Sequence, residues 1–539
     1  TEGDFDTETM RSCTGCLVLQ LVLIFALCSA DNASGSCSSP SGVATLKGSP
    51  NVFNLYINGV WKPTSSGRTL KVLSPVNDSA VYEVQAATRE EIDEAFQAAR
   101  DAQRLWGKTP LWKRAELLKK AAEVMRGQAD DIATVIQDEV AKTKKAALSE
   151  VLRTADLLDY TAEEGVRVQG ELYTSDSFTG EKRNKLALVQ RVPLGVVVAV
   201  PPFNYPLNLA GSKVGPALMG GNSVVMKPPS AGAVTGLVGI AAAFDLAGCP
   251  KGLVNVVTGK GSEIGDYLTQ HPLANAVTFT GGSTGLHVAK GVAMIPTQME
   301  LGGKDPAIVL PDADFELAAS AIVKGSFSYS GQRCTAVKMV LIVEESDEVS
   351  SKLMPKILAG VEKLKVGSPY EEVDVTPVID GKSAAYIKGL VDDAVEKGAS
   401  MLLPREGYRQ ERNLIHPVVL TGVKEGMRLL YEEQFGPVLP IASVKSKEEA
   451  IRIANASPLG LQASVFTQNI NDAMSLSDEL QAGTVQINGA PARGPDHFPF
   501  QGFKDSGIGS QGVKWSLESM TKIKSTVINL PSESYTQGV

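Results

Sequence analysis

The chain has 539 residues, 43% of them hydrophobic and 21% charged, with a formal net charge of −8. That length exceeds one ordinary core and implies two or three domains. The acidic balance argues against a general nucleic-acid binder, and four widely spaced histidines without a paired ligand pattern argue against a metal site.

The first nine residues are acid-rich, and Met10-Arg11 precedes an apolar run from Leu17 to Leu27 broken only by Gln20. The run is too short to span a bilayer and suits a signal-peptide core, with Cys28-Ser29-Ala30 as a cleavage-like segment. Residues 34–50 are Ser-rich and acid-free, as in a transit segment. Residues 1–50 are therefore expected to be a leader, or a spurious upstream translation, outside the fold. A genuine leader would imply secretory or plastid entry, with no membrane span left in the mature protein.

Residues 84–164 read as helices, with Leu148, Val151, Leu152, Ala155 and Leu158 at helical spacing. From Val192 short apolar runs appear at Val196–Val200, Ser223–Met226, Leu253–Val257, Ala276–Phe279 and Gln298–Leu301. Helix-like segments separate them at Ala231–Leu246, Ser262–Thr269 and Thr284–Met294. That alternation predicts βαβ units and a buried parallel sheet, hence an α/β fold. It resumes after Pro306 with Ala307–Leu310, Lys338–Val343 and Ser350–Lys363, which suggests a second α/β domain.

Two features carry chemistry. Cys334 lies in Gly331-Gln332-Arg333-Cys334-Thr335-Ala336, and Glu300 opens Glu300-Leu301-Gly302-Gly303-Lys304. A thiol and a carboxylate in glycine-bearing segments offer a nucleophile and a general base. Of six cysteines, four fall in the first 37 residues, so only Cys249 and Cys334 occupy the body and no disulfide framework competes. Cys249 reads as buried filler at a helix end. The usual dinucleotide fingerprint is missing, but Gly259-Lys260-Gly261-Ser262-Glu263-Ile264-Gly265 and Gly281-Gly282-Ser283-Thr284-Gly285 are glycine-rich strand-to-helix turns. Such turns suit a phosphate-bearing ligand at helix N-termini.

Seven motifs in order resemble the aldehyde dehydrogenase superfamily from about Asn54 to Asn529. They are Pro202-Phe203-Asn204-Tyr205-Pro206, Lys227-Pro228-Pro229, Phe279-Thr280-Gly281, the Glu300 and Cys334 segments, Glu433-Gln434-Phe435-Gly436-Pro437 and Ser506-Gly507-Ile508-Gly509. The group looked most like is the non-phosphorylating, NADP-dependent glyceraldehyde-3-phosphate dehydrogenases, through Ser149–Asp156, Phe203–Lys213 and Gly331–Lys338. The resemblance implies a Rossmann-type cofactor domain (51–174 and 194–305), an α/β catalytic domain (306–504) and a small β oligomerisation element (175–193 and 505–539). It further implies a homotetramer and, by family default, a cytoplasmic location.

The same resemblance implies roles. Cys334 attacks an aldehyde, Glu300 acts as base, and the Asn204 amide with the Cys334 N–H forms the oxyanion hole. NADP would be held by Lys227, Ser230, Gly261, Gly265, Gly281, Gly282, Ser283, Glu433 and Phe435. Ser230 stands where NAD-preferring relatives carry an acid, and its other reading is a helix cap. A phosphorylated aldehyde would be held by Arg153, Tyr205, Arg333, Thr335 and Arg493, whose guanidiniums suit a dianion. Departures are Pro491 before Arg493 and Gly282 where relatives often carry Ser. Rival readings are a dehydrogenase of another anionic aldehyde, such as succinate semialdehyde, and an idle binding protein on the same scaffold. A cysteine protease fits less well, because no histidine accompanies the thiol in a recognisable motif.

Overall fold

The computed structural model describes residues 47–48, 52–168 and 170–531. The Leu17–Leu27 run lies outside the described residues. Within the expected leader, the strand Lys47–Gly48 pairs antiparallel with Val52–Phe53 at the edge of a four-stranded sheet.

Two open sheets carry the fold. The first has eight strands, in the order Gly507–Ile508, Thr297–Glu300, Ala276–Thr280, Val196–Val200, Ser223–Met226, Val254–Val256, Leu55–Ile57 and Val60–Lys62. Its five central strands are parallel, as the alternating runs predict. Val196–Val200 is apolar throughout and Ser223–Met226 nearly so, because both faces are covered. Val197 and Ala199 join the layer of Leu158, Val214 and Phe244, whereas Val196 and Val198 join the layer of Ile92, Phe96 and Leu268. Residues 84–85 end the strand Ala80–Gln85, so the helical region starts later than predicted. Helix Arg89–Trp106 opens with a reciprocal cap between Thr88 and Glu91. The long helix Lys144–Gly165 is capped by Thr143. The segment predicted as one helix over Ala231–Leu246 contains a π-helical stretch, Gly236–Ala241.

The second sheet has seven strands, in the order Ser400–Leu403, Val418–Thr421, Val438–Val444, Met339–Val343, Pro306–Val309, Gln462–Phe466 and Thr484–Ile487. Ile308 and Leu341 face one apolar layer, and Ala307, Val309 and Ile342 face the other.

A three-stranded sheet stands apart, formed by Thr521–Asn529, Lys185–Pro193 and Glu171–Thr174. The expected division of the chain changes at two points. Strand Glu171–Thr174 belongs to this small sheet, and Gly507–Ile508 closes the edge of the eight-stranded one.

Candidate active site

In the first sheet the chain runs outward from Val196–Val200 to Ser223–Met226 and Val254–Val256 on one side, then returns to add Ala276–Thr280 and Thr297–Glu300 on the other. The strand order reverses beside Val196–Val200, and open α/β sheets bind their ligands at the carboxyl ends of the strands at such a point. Asn204 follows one of those ends, Gly281 another, and Glu300 ends a third.

Cys334 meets these strand ends from the second body. Helix Phe315–Phe327 stops, and Tyr329 (φ 49°), Ser330 (φ 54°) and Gly331 (φ 70°) follow in left-handed backbone. The Ser330 hydroxyl ties the turn down by donating to the Thr376 carbonyl (2.7 Å), and the Thr376 N–H donates back to it (2.9 Å). Gly331 is required here, since a Cβ would stand 2.2 Å from the Gly436 carbonyl oxygen. The Asn204 amide donates to the Gln332 carbonyl (2.9 Å), which places it beside the nucleophile's backbone. Burial pushes the Cys334 thiol up to about 11, an effect opposed by Lys338 and reinforced by Glu300, Asp305 and Glu433.

Glu300 is buried, and its partners form a chain. The Lys213 ammonium donates to the Thr280 hydroxyl (2.6 Å), which donates to Glu300 (3.0 Å). The Arg493 guanidinium holds both Glu300 oxygens (3.1 and 3.3 Å) and also donates to Gln511. Arg493 lies over the Phe500 ring at 5.0 Å and lines a cavity of about 200 Å³. Its loop is pinned by Gln462, which exchanges two hydrogen bonds with Ala492.

The three arginines expected to meet at one point do not converge in this structure. Arg153 gives two bonds to Asp496 (2.8 and 2.9 Å) and one to the Arg493 carbonyl. Arg493 is bound to Glu300. Arg333 donates to the Gly325 carbonyl (2.7 Å), while its buried Nε has no partner. Leaving a buried guanidinium unpaired is costly, which accounts for the acceptors each has within the chain. Tyr205 packs against the buried Lys142 ammonium, 3.5 Å from the ring centre, and Thr335 is buried.

The cofactor residues on the first sheet follow the carboxyl ends of its strands. Lys227 is buried at the end of Ser223–Met226, donates to the Pro228 carbonyl, and burial pushes it down to about 8. Ser230 is exposed and does not cap the following helix, whose first N–H groups are instead bound by Glu139. Gly261 and Gly265 lie on helix Gly261–Thr269, and Ser283 precedes helix Thr284–Gly291. A Cβ on Gly261, Gly265 or Gly282 would meet open space, whereas one on Gly281 would press on the Phe279 ring (2.8 Å). Glu433 accepts from the Gly303 N–H (3.1 Å) and pairs with Lys338 (2.9 Å). Phe435 (φ 43°) packs edge-on against Phe203. Open glycines at two helix N-termini and a buried lysine without a carboxylate fit a phosphorylated dinucleotide.

The sequence reading missed Thr280, Lys213, Lys338, Asp496 and Gln511. Thr280 and Lys213 lie inside motifs already singled out, and Lys338 heads an otherwise apolar strand, which was a usable signal.

The sequence profile of the aldehyde dehydrogenase family matches residues 61–526. The chain belongs to that family. As an aldehyde dehydrogenase it is 56% identical over 489 residues to the NADP-dependent glyceraldehyde-3-phosphate dehydrogenase of Triticum aestivum, covering 90% of this chain and 97% of that one. It is 48% identical to the protein of the same name from Streptococcus equinus, covering 89% and 99%. The crystal structure of the NADP-dependent glyceraldehyde-3-phosphate dehydrogenase of Bacillus halodurans C-125, complexed with NADP, superposes on this aldehyde dehydrogenase with a TM-score of 0.86. That pair is 48% identical, covering 88% and 99% of the two chains.

Outside the site, Cys249 packs against the core, and burial raises its thiol pKa well above the usual range. Among the described residues no helix is long and apolar enough to cross a membrane, and no His/Cys/Asp/Glu group could hold a metal ion.

Proposed function

We infer that this aldehyde dehydrogenase oxidises glyceraldehyde 3-phosphate to 3-phosphoglycerate with NADP+, without adding phosphate. The observation that carries this reading is the meeting of Cys334, Asn204 and Glu300: the Asn204 amide donates to the carbonyl two residues before Cys334, and the Glu300 charge bears on its thiol. Relatives 48–56% identical over nearly their whole length bear the same activity in their names.

The Cys334 sulfur adds to the aldehyde carbon, and its proton leaves toward Glu300. Negative charge forms on the aldehyde oxygen, where the Asn204 amide and the Cys334 N–H donate to it. The tetrahedral adduct loses hydride and becomes a thioester, bound NADP+ supplying the acceptor. Glu300 passes the thiol proton to solvent and, ionised again, takes a proton from water, whose oxygen attacks the thioester carbon and expels the Cys334 thiolate. No inorganic phosphate enters the balance.

Arg493 cannot hold Glu300 and a substrate phosphate in full at the same time. A dianion draws Arg493 from the carboxylate, and the buried Arg333 Nε supplies a second donor. Arg153, held by Asp496, orders the loop that carries Arg493. Lys227 and the exposed Ser230 would hold the extra phosphate of NADP, which an acid at Ser230 would repel.

The small sheet supports assembly. Strand Thr521–Asn529 is an unpaired edge, and Ile523, Val527, Ile528, Leu172 and Tyr173 are exposed on its sheet. Such an edge is a template for a second copy, and two such dimers make a homotetramer. Sedimentation of Val527→Lys at a smaller size than wild type supports this, and an unchanged size refutes it.

The deciding experiment is NADPH formation from glyceraldehyde 3-phosphate without inorganic phosphate, for wild type and Cys334→Ala. Turnover that vanishes in the variant is expected. Turnover only on succinate semialdehyde would overturn the substrate and leave the family standing.

A further inference from the structure

Lys338 has no role in the reaction described above, yet its ammonium is among the most deeply buried charges in the molecule, 1% exposed. It lies directly behind the nucleophile. The Nζ donates to the Cys334 carbonyl and pairs with the Glu433 carboxylate at 2.9 Å, with the Phe435 ring centre 6.0 Å away. Its own backbone is fastened on both sides. The Lys338 N–H donates to the Asp305 carbonyl (2.9 Å), and its carbonyl accepts from the Gln434 amide (3.0 Å). One side chain therefore joins the segment that carries the nucleophile to the segment that carries Glu433.

A buried ammonium is costly to desolvate, and an apolar side chain would fill the start of an apolar strand without that cost. The charge needs a reason. The groups facing the Cys334 thiol supply one. Glu300, Asp305 and Glu433 all disfavour a thiolate by like charge, burial does the same, and Lys338 is the cation that opposes them. Arg333 is adjacent in sequence, but its guanidinium is turned toward the Gly325 carbonyl.

We propose that Lys338 is a positioning residue: it fixes the Cys334 backbone against the Glu433 segment and supplies the positive charge that makes the buried thiol reactive. The proposal rests on Cys334 being the nucleophile, and not on which aldehyde or cofactor the enzyme uses.

The test follows the rate at which iodoacetamide labels Cys334, read by peptide mass spectrometry on the full chain at several pH values, without aldehyde or cofactor. Removing the cation in Lys338→Gln raises the thiol pKa by about one unit, which lowers the thiolate about tenfold and raises its intrinsic reactivity about threefold. Labelling is then slower by roughly three- to fourfold below pH 9. Lys338→Arg keeps the charge and restores the rate to within about twofold of wild type. Glu433→Gln releases Lys338 from its counter-ion and removes a like charge, so labelling becomes faster. A general loosening of the site would expose Cys334 and speed labelling in every variant, and would not give opposite signs for Lys338→Gln and Glu433→Gln. Labelling of Lys338→Gln at the wild-type rate or faster overturns the proposal. Should that variant not fold, Glu433→Gln decides alone, and unchanged or slower labelling refutes the idea. Because the assay contains no aldehyde, a wrong substrate assignment would leave its outcome unaffected.

Discussion

The two sides of the nucleophile are built differently. In front, Glu300 is held by Arg493, a long side chain on a loop whose anchor is the amide of Gln462. Behind, Lys338, Glu433, Asp305 and Gln434 are fastened to backbone atoms and to one another among the strands of the second sheet. In the proposed reaction Arg493 passes from the carboxylate to the substrate phosphate, whereas Lys338 keeps its partners. Exchangeable contacts are placed on a loop, and fixed ones are buried.

The sharpest way to break this contrast is Glu300→Gln. A group that takes protons from both thiol and water should cost about 10²–10⁴-fold in kcat, measured as steady-state NADPH formation. Retention of normal kcat would remove Glu300 from the base's role and leave it a partner of Arg493. Asn204→Ala tests the oxyanion contact between the two bodies and should lower kcat by about 10²–10³-fold with little change in KM. Arg493→Ala should lower kcat/KM for glyceraldehyde 3-phosphate by about 10–100-fold, as expected for lost charged hydrogen bonds. The same variant should leave the slow oxidation of unphosphorylated glyceraldehyde unchanged or faster, because Glu300 is then free. Equal losses on both aldehydes would show that Arg493 supports the fold and does not select the substrate. The last effect concerns pH. With the thiol near 11, the labelling rate of the resting enzyme should climb about tenfold per pH unit from 7 to 10, since only the thiolate reacts. A plateau near neutral pH would place a stronger cation beside the sulfur than this structure does.

Much of this was legible in the sequence, for identifiable reasons. Strands buried on both faces leave continuous apolar runs, so Val196–Val200 and Ser223–Met226 were read with their observed limits. The Cys334 and Glu300 segments carry their chemistry in contiguous residues. What could not be read is pairing over long separations. The hold of Asp496 on Arg153 spans 343 residues, and that of Arg493 on Glu300 spans 193. No local pattern records which acceptor a guanidinium finds, so three arginines expected to converge proved to be engaged separately. Strand Gly507–Ile508 is only two residues long, too short to show any period before it pairs with Met299 and Glu300. The π-helical stretch at Gly236–Ala241 leaves the same apolar stripe as an ordinary helix and differs only in hydrogen bonding.

The contact of Gly331 with the Gly436 carbonyl has a mechanical consequence. Two loops that touch backbone to backbone, with no side chain between them to change rotamer, cannot slide independently. The segment that presents the sulfur and the segment that presents Glu433 therefore behave as one rigid jaw. Hydrogen-exchange protection of the two should rise and fall together, while the Ala492–Asp496 loop, held through the side chains of Gln462 and Arg153, exchanges on a clock of its own.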